Sequence, residues 1–252
     1  MTAQAPSNGN NELGAIHLTL QGKGGVGKSL IACILAQYFR SKGGTVHCVD
    51  SDPVNQTLTH YKALNVEHLN LLRNGNIDTR QFDLLMERLL TEKGTFIVDN
   101  GASSFVPMWN YIKENSVPTV LRNAGRKLIV HTVLTGSQAV IETTVGFKTL
   151  AKSTDEANIV VWLNEYFGPI QHNGKHFLES QTYADNKEKI LGTVGIPQRN
   201  QETFGRDVQD MLSAKLTFSE AIANGSFSLM AKQRLKTVQR DIFGQLDSLS
   251  MQ

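Results

Sequence analysis

The chain has 252 residues, of which 40% are hydrophobic and 19% are charged. This composition is that of an ordinary globular protein and excludes a disordered chain. The length fits one large α/β domain better than two small ones. A formal net charge of +2 is too small to indicate nucleic-acid binding from bulk electrostatics, so the net charge does not identify the kind of partner.

The N-terminal segment has the composition of a flexible tail. Its first 13 residues, MTAQAPSNGNNEL, are polar and rich in asparagine, which predicts a tail over 1–13 ahead of one domain over 14–252. The segment lacks the basic start and apolar stretch of a signal peptide, and no run of about 18 apolar residues occurs anywhere. The sequence therefore predicts a cytoplasmic protein.

Short apolar runs of strand length recur along the chain. They are 16–20, 45–49, 95–98, 128–133, 158–163 and 190–194. Between them, apolar stripes over 30–39 and 82–90 have helical periodicity. Strands that alternate with helices predict an α/β fold, a mostly parallel central sheet with helices on both faces. Beyond residue 200 the strand-like runs stop, and helices are predicted near 202–213, 217–223 and 227–249.

One glycine-rich segment carries a phosphate-binding pattern. GKGGVGKS, from Gly22 to Ser29, matches GxxxxGK[ST] and lies between a predicted strand and an amphipathic helix, the context that this motif requires. Glycines let successive backbone N–H groups point at phosphate oxygens, and the following helix N-terminus adds a favourable partial charge. Lys28 is expected along the β- and γ-phosphates, and the Ser29 hydroxyl is expected to bind Mg²⁺. The predicted nucleotide-binding residues of this loop are Gly22, Gly24, Gly25, Val26, Gly27, Lys28 and Ser29.

Three carboxylates follow predicted strands and are expected to face the phosphate site. Asp50 and Asp52 end the second strand in the run VDSDP, at the sheet edge where ligands of open α/β folds bind. The alternative for this run is a turn built on an Asp–Pro pair. Asp99 ends the run TFIV and has the form of a Walker B acid, which contacts Mg²⁺ through water.

A second lysine in the loop carries a family resemblance. Lys23 has no role within its own phosphate loop, because Lys28 already occupies that place. It resembles the signature lysine of the deviant Walker A ATPases of the ParA/MinD type, which include partition, septum-site and nitrogenase iron-protein ATPases. The resemblance implies an ATP-dependent homodimer in which Lys23 reaches the phosphates of the partner subunit, as an arginine finger does. The alternative is a solvated loop lysine.

The same resemblance assigns roles to other residues. By likeness to the family's DxDP element, Asp52 would position the attacking water and Asp50 would support the Mg²⁺ shell. The catalytic set would then be Lys23, Lys28 and Asp52, and the metal set Ser29, Asp50 and Asp99. The sequence departs from the partition ATPases after Asp99, where it reads DNGAS instead of DxPP.

Two further residues resemble the family's base pocket. Asn164, which closes the run VVWL, resembles the asparagine that recognises the base, and Pro197 resembles a base-pocket residue. An asparagine side chain can donate to and accept from adenine, and no N-K-x-D element for guanine is present, which favours ATP over GTP. The alternative for Asn164 is a turn residue at a strand end.

Other stretches resemble plasmid-encoded proteins. YKALNV (61–66), DNGASSFVP (99–107) and VVWLNEYFGPI (160–170) are similar to the TraL family of conjugative-transfer proteins and, less closely, to StbB-type plasmid-stability proteins. The likeness implies a role in conjugation or plasmid positioning. It leaves open whether the target is a plasmid-encoded partner protein, nonspecific DNA at the nucleoid or the inner-membrane surface.

Two functions from other classes compete with this interpretation. The first is an ATP-dependent small-molecule ligase or synthetase of the same superfamily, although no second group of residues suits a small substrate. The second is an electron carrier like the nitrogenase iron protein, which needs two cluster cysteines downstream. Cys33 and Cys48 both precede residue 50, which excludes that carrier, and they are expected to be reduced packing residues.

The last predicted helix combines an apolar stripe with basic side chains. The stripe comprises Leu235, Val238, Ile242, Phe243, Leu246 and Leu249, and the basic residues are Lys232, Arg234, Lys236 and Arg240. Such a helix could cover the core, lie on an anionic membrane or bind DNA. Docking on the core is favoured, because amphipathic helices of globular domains usually cover their own core.

Overall fold

The computed structural model describes residues 13–153 and 158–251, so the predicted tail over 1–13 lies outside the described residues except for Leu13. The strands are β1 (Ile16–Thr19), β2 (Val46–Asp50), β3 (Glu67–His68), β4 (Leu72–Arg73), β5 (Asn76–Ile77), β6 (Thr95–Asp99), β7 (Leu128–Thr135), β8 (Asn158–Asn164), β9 (Gln171–His172), β10 (Lys175–His176) and β11 (Ile190–Ile196). The α-helices are α1 (Lys28–Ser41), α2 (Gln81–Thr91), α3 (Phe105–Glu114), α4 (Val117–Asn123), α5 (Val140–Ser153), α6 (Gln181–Asn186), α7 (Arg206–Ser213), α8 (Phe218–Ala223) and α9 (Leu229–Asp247). A π-helical turn, Gln201–Gly205, precedes α7.

A parallel sheet of seven strands forms the centre of the fold. Its order is β11–β8–β7–β1–β6–β2–β3, and every neighbouring pair in it is parallel. The strand that leads into the glycine-rich loop, β1, lies in the middle between β6 and β7. Two small antiparallel hairpins, β4–β5 and β9–β10, stand apart from this sheet. The predicted fold class is confirmed.

All six predicted strands belong to this sheet, and the predicted C-terminal helices are present as α7, α8 and α9. The seventh strand, β3, is not predicted because it has two exposed residues and no apolar pattern. The sequence patterns also miss α3 to α6. Proline lies in the first turn of α3 and of α4, where a helix tolerates it, and such prolines obscure the helical pattern.

The sheet buries apolar side chains on both faces, as a parallel sheet covered by helices requires. Successive residues of β6 point to opposite sides. Phe96 and Val98 join the cluster that includes residues of α2, α3 and α5. Ile97 joins the other cluster, which includes residues of α1 and of the C-terminal helices. The continuous apolar runs of the sequence thus follow from burial on two faces.

The last helix packs on the core of the domain. Four residues of its stripe are buried, namely Leu235, Val238, Ile242 and Leu246. The Gln245 amide joins α9 to the edge strand β11, because its Oε1 accepts from Gly195 N at 2.6 Å and its Nε2 donates to Gly195 O at 3.0 Å. Two of its basic residues make ion pairs, Arg234 with Asp207 and Arg240 with Asp241. The docking prediction is confirmed.

Both cysteines are free and buried, as predicted. Burial raises the pKa of the Cys33 thiol to about 12 and that of Cys48 to about 11, so both stay protonated at neutral pH. Within the described residues, no helix is long and apolar enough to cross a membrane.

Candidate nucleotide-binding site

The glycine-rich loop connects β1 to α1 through a backbone that only glycine adopts easily. Gly25 has a φ of 73° and Gly27 a φ of 108°, both in the left-handed region. Gly22 lies against the Phe105 ring, where a Cβ would come within 3.1 Å of a ring carbon, whereas a Cβ at Gly24 would meet open space. Val26 is buried in the core beside α1 and anchors the loop from below.

Lys28 is held inside this loop. Its Nζ donates to the carbonyl oxygen of Lys23 at 3.0 Å, so the ammonium spans the loop from the first turn of α1. Burial lowers the pKa of Lys28, while the nearby carboxylates of Asp99 and Asp52 act in the opposite direction. A cation at the N-terminus of α1, among backbone N–H donors, is the arrangement that binds phosphate groups.

Strand register brings the polar ends of three strands to one level of the sheet. Thr19 of β1 is paired with Asp99 of β6, and Asp99 is paired in turn with Asp50 of β2. The Thr19 hydroxyl donates to Asp99 Oδ1 at 2.7 Å. Burial raises the pKa of Asp99 to about 6, and the hydroxyls of Ser29 and Thr19 act against that rise. Thr19 therefore belongs to the site, although no sequence motif indicates this residue.

The site fits a magnesium ion. The Oδ2 atom of Asp99 is buried and has no hydrogen-bond partner among the described residues. The Asp99 carboxylate lies near the Ser29 side chain, so a hydroxyl and a carboxylate oxygen are available together. No group of three or more His, Cys, Asp or Glu suited to a metal occurs in 13–153 or 158–251. Mg²⁺ suits this poor set of protein ligands because it keeps several waters and phosphate oxygens.

The Asp50 carboxylate organises the loop after β2. Its Oδ1 accepts from Asp52 N at 3.0 Å, and its Oδ2 accepts from Leu58 N at 2.9 Å and Thr59 N at 3.2 Å. Burial raises the pKa of Asp50, and these backbone donors act against that rise. Both oxygens are therefore engaged with main chain, and support of the Mg²⁺ shell by Asp50 stays a prediction.

Asp52 lies between its own loop and the segment after β6. Its Oδ1 accepts from Val54 N at 2.9 Å and from Asn55 N at 3.2 Å. Gly101 packs so closely on it that a Cβ there would lie 2.5 Å from the same Oδ1. The sequence DNGAS, which replaces DxPP, therefore supplies the one residue type that leaves room for this carboxylate.

Asn100 links the ends of β2 and β6. The hydroxyls of Ser51 and Ser104 donate to its Oδ1 at 3.3 and 2.9 Å, and its Nδ2 donates to Gly101 O at 3.0 Å. All three polar side chains are buried. The two loops that carry Asp52 and Gly101 are therefore parts of one hydrogen-bonded unit.

Lys23 points away from its own loop toward α5. Its Nζ lies 2.6 Å from Oε2 of Glu142, in the first turn of that helix, and its side chain is 42% exposed. Sequence reasoning missed Glu142 because the pair joins positions more than a hundred residues apart. The buried amide of Gln21, just before the loop, also donates to Thr143 O at 3.1 Å and so fastens the loop to α5.

The base-pocket candidates come from neighbouring strands. Asn164 at the end of β8 is paired with Ile196 at the end of β11, next to Pro197. The Asn164 Nδ2 donates to Val26 O at 2.9 Å, and its Oδ1 accepts from Tyr166 N. Pro197, with Tyr166, lines a largely apolar cavity of about 190 Å³ between α1, α9 and the π-helical turn. Base recognition by Asn164 and Pro197 stays a prediction.

A family model decides the relationship of this site to known proteins. Residues 18–207 match the model described as "CobQ/CobB/MinD/ParA nucleotide binding domain", and this match contains the whole glycine-rich loop. The chain belongs to the CobQ/CobB/MinD/ParA family. Two TraL proteins of Escherichia coli are 49% and 47% identical to this chain over 237 residues, covering 94% of this chain and 98% of each relative.

Solved structures of MinD proteins share the fold. The MinC:MinD cell division complex of Aquifex aeolicus matches with a TM-score of 0.54 at 15% identity and covers 91% of this chain and 96% of the matched chain. The septum site-determining protein MinD of Pyrococcus horikoshii, complexed with Mg-ADP, matches with a TM-score of 0.51 at 14% identity and covers 94% and 98%. At these identities the likeness concerns the fold of the family.

Proposed function

We propose that this chain is a Mg-ATP-dependent dimerisation switch that hydrolyses ATP and acts in plasmid conjugative transfer or in plasmid stability and positioning. The observation that carries the proposal is that two lysines of one loop point in different directions and make different contacts. Lys28 is buried within the loop, whereas Lys23 is half-exposed and directed away from the loop to Glu142. Once it leaves Glu142, a lysine so placed could supply charge to a second subunit.

Each residue of the loop would contact a particular part of the triphosphate. Backbone N–H groups from Gly22 to Ser29 would surround the β-phosphate, and Lys28 would neutralise charge on the β- and γ-phosphates. Ser29 and Asp99 would hold Mg²⁺, which offsets charge on the phosphate oxygens when bound. Asp52, at the edge of the loop after β2, would accept a hydrogen bond from the attacking water and orient it in line with the γ-phosphate.

Exposed apolar residues near the nucleotide edge of the sheet support dimerisation. Val54, Val106 and Phe167 follow the C-terminal ends of β2, β6 and β8, and each exposes more than half of its surface. Apolar side chains gathered at one edge are typical of a surface that a partner covers. A second copy that brings its Lys23 to this edge would cover them.

The plasmid role is supported by the TraL relatives, whose identity extends over nearly the whole chain. We infer a cytoplasmic protein that associates with a plasmid-encoded partner, with nonspecific DNA at the nucleoid or with the inner membrane. ATP binding would set the dimeric state, and hydrolysis would reset it. Turnover is expected to be slow until a partner binds, and the Lys23–Glu142 pair, which holds the signature lysine within its own subunit, should contribute modestly to this.

Size-exclusion chromatography with light scattering in ADP, ATP and a nonhydrolysable ATP analogue tests this proposal. We expect a monomer in ADP, a dimer in the analogue, and a monomer in every nucleotide for Lys28→Ala, since loss of the ammonium leaves the phosphates poorly neutralised. Isothermal titration should show that Lys28→Ala no longer binds ATP. A wild-type monomer in all three nucleotides, with ATP bound, would contradict the switch and favour a ligase.

A further inference from the structure

A groove lies between α5 and the β9–β10 hairpin, outside the nucleotide site. It encloses about 430 Å³, with Ile170 and Phe177 at its base and Ile141 and Val145 of α5 along one wall. The Phe177 ring packs edge-on against Phe147 of α5, with ring centroids 5.6 Å apart. The hairpin and the helix therefore share one core, and the groove between them is already formed.

The hairpin holds two basic side chains in a fixed arrangement. Its turn, Asn173–Gly174, has φ values of 51° and 75°, which is the pattern of a type I′ turn and matches the twist of the strands. His172 and Lys175 are directly opposed across the turn, so their side chains share one face of the hairpin. Both line the groove.

The lining of the groove has cations but no carboxylate. Lys148 of α5 faces Lys175 and His172 of the hairpin across the groove, and all three are exposed. Neither lysine makes an ion pair with a carboxylate of the described chain. Nearby acids are engaged elsewhere: Glu142 pairs with Lys23, and Glu179 accepts from His176 N. The groove is therefore complementary to a negatively charged ligand.

The groove is also apolar, which narrows the class of ligand. Ile141 is 58% exposed and Val145 is 56% exposed, one helical turn apart on the same face of α5. A nucleic-acid duplex is bound mainly by many cations on a polar surface, and a membrane is contacted by protruding apolar residues rather than by a concave groove. A peptide segment with both apolar and acidic side chains fits a concave groove and matches both its apolar and its basic lining.

We propose that this groove binds an acidic segment of a partner protein, whose apolar side chains pack on Ile141 and Val145 and whose carboxylates pair with Lys148 and Lys175. This names the kind of partner for the switch and, in that respect, rests on the proposed function. Ile141 adjoins Glu142, so a segment seated on α5 lies beside the residue that pairs with Lys23. Binding to the groove itself needs no nucleotide.

Selection from a displayed random peptide library on the full-length, nucleotide-free protein tests the proposal. We expect the enriched peptides to combine acidic with apolar residues. Synthetic copies of these peptides, measured by fluorescence polarisation, should bind at least about tenfold more weakly to the Lys148→Glu/Lys175→Glu variant and to Ile141→Ser/Val145→Ser. Lys62→Glu/Lys113→Glu, which reverses two exposed lysines elsewhere, should bind as the wild type does. Selection on Lys148→Glu/Lys175→Glu should enrich basic peptides instead.

Other outcomes overturn the proposal. Enrichment of peptides without acidic residues would contradict the proposed acidic partner. Equal binding of the selected peptides to all the variants would show that they bind outside the groove. Loss of binding to phosphatidylglycerol vesicles or to duplex DNA in Lys148→Glu/Lys175→Glu, without any selected acidic peptide, would assign the surface to lipid or DNA. ATP-dependent dimerisation of each variant is measured separately, so failure of peptide binding and failure of the switch remain distinguishable.

Discussion

The Nζ atom of Lys23 lies 2.6 Å from Oε2 of Glu142, which joins the phosphate loop to the first turn of α5 within one subunit. A lysine that acts on a second subunit must first leave this carboxylate. The pair is half-exposed, so its free energy is small and the lysine can be released without unfolding any element. The ion pair therefore sets a modest threshold for dimerisation.

Glu142→Gln should lower that threshold. An exposed ion pair contributes about 0.2–1 kcal/mol, and each dimer breaks two of them, so we expect ATP-dependent dimerisation to tighten by at most about thirtyfold. Basal turnover at subsaturating protein concentration should rise with it. Analytical ultracentrifugation in the nonhydrolysable analogue measures the dimer, and Glu87→Gln on the exposed surface of α2 is the matched control. A weaker dimer in Glu142→Gln would mean that Glu142 acts in the interface instead.

Gly101→Ala should reduce hydrolysis while ATP still binds. The added Cβ would lie 2.5 Å from Asp52 Oδ1, so the carboxylate must move away from its present position. A displaced water-orienting group slows the chemical step by about a hundredfold or more and leaves ground-state binding nearly unchanged. Single-turnover hydrolysis and isothermal titration separate the two effects. Gly244→Ala on α9, where a Cβ meets nothing within 4 Å, should behave as the wild type.

Two buried histidines make stability depend on pH. Trp162 Nε1 donates to His131 Nδ1 at 3.0 Å, which leaves the proton of His131 on Nε2 to be donated to His17 Nδ1 at 2.9 Å. Burial lowers the pKa of His17 to about 3 and that of His131 well below its usual range. Below pH 6.5 the unfolded chain binds protons that the folded chain does not, so stability falls as pH falls.

The raised pKa of Asp99, about 6, works in the opposite direction. Between about pH 6 and 4 the folded chain binds a proton at Asp99 that the unfolded chain does not, and the raised pKa of Asp50 adds to this. With two histidines acting one way and Asp99 the other, stability should therefore still fall with pH, by about 1 kcal/mol per pH unit in this range. Asp99→Asn should steepen the slope by about the same amount, as urea unfolding without nucleotide would measure. An unchanged slope would contradict the raised pKa of the buried Asp99 carboxyl.

The C-terminal helix should contribute to the stability of the whole domain. Leu235 of α9 is fully buried in the core that includes residues of α1, whereas Leu229 at the start of the helix is 82% exposed. Leu235→Ala should cost about 2–5 kcal/mol of unfolding free energy, and Leu229→Ala less than about 0.5 kcal/mol. Denaturant unfolding distinguishes them. Equal, small losses would show that the helix is peripheral to the core.

The sheet could be predicted from the sequence because strands buried on both faces leave continuous apolar runs. Cys48 and Ile97 are examples, each inside such a run and each fully buried. The edge strand β3 could not be predicted, since Glu67 and His68 are exposed and pair with β2 mainly through the main chain, with one added contact from His68 Nδ1 to Asp50 O. Local pattern carries no information about such pairing.

The phosphate loop could also be predicted from the sequence, because the residues that carry its chemistry are consecutive. The contacts of Lys23 with Glu142 and of Gly101 with Asp52 could not be predicted, because both arise when the fold brings distant segments together. Asn164 shows a third case. Its resemblance suggests base recognition, yet its amide donates to Val26 O of the loop, a relation that no sequence pattern contains.

The central claim is that Lys23 acts on the nucleotide of a partner subunit, and a mixing experiment with two inactive variants tests it most directly. Lys23→Ala should bind ATP as a monomer but neither dimerise nor hydrolyse it, and Asp52→Ala should bind ATP without turnover. In a hybrid dimer, one site combines its own Asp52 with the partner's Lys23, so up to about half of the wild-type turnover per hybrid should return. The Lys23→Ala/Asp52→Ala double variant, mixed with either single variant, forms no complete site and should restore nothing. Absence of activity in hybrids verified by native mass spectrometry, or wild-type dimerisation and turnover by Lys23→Ala alone, would contradict the claim.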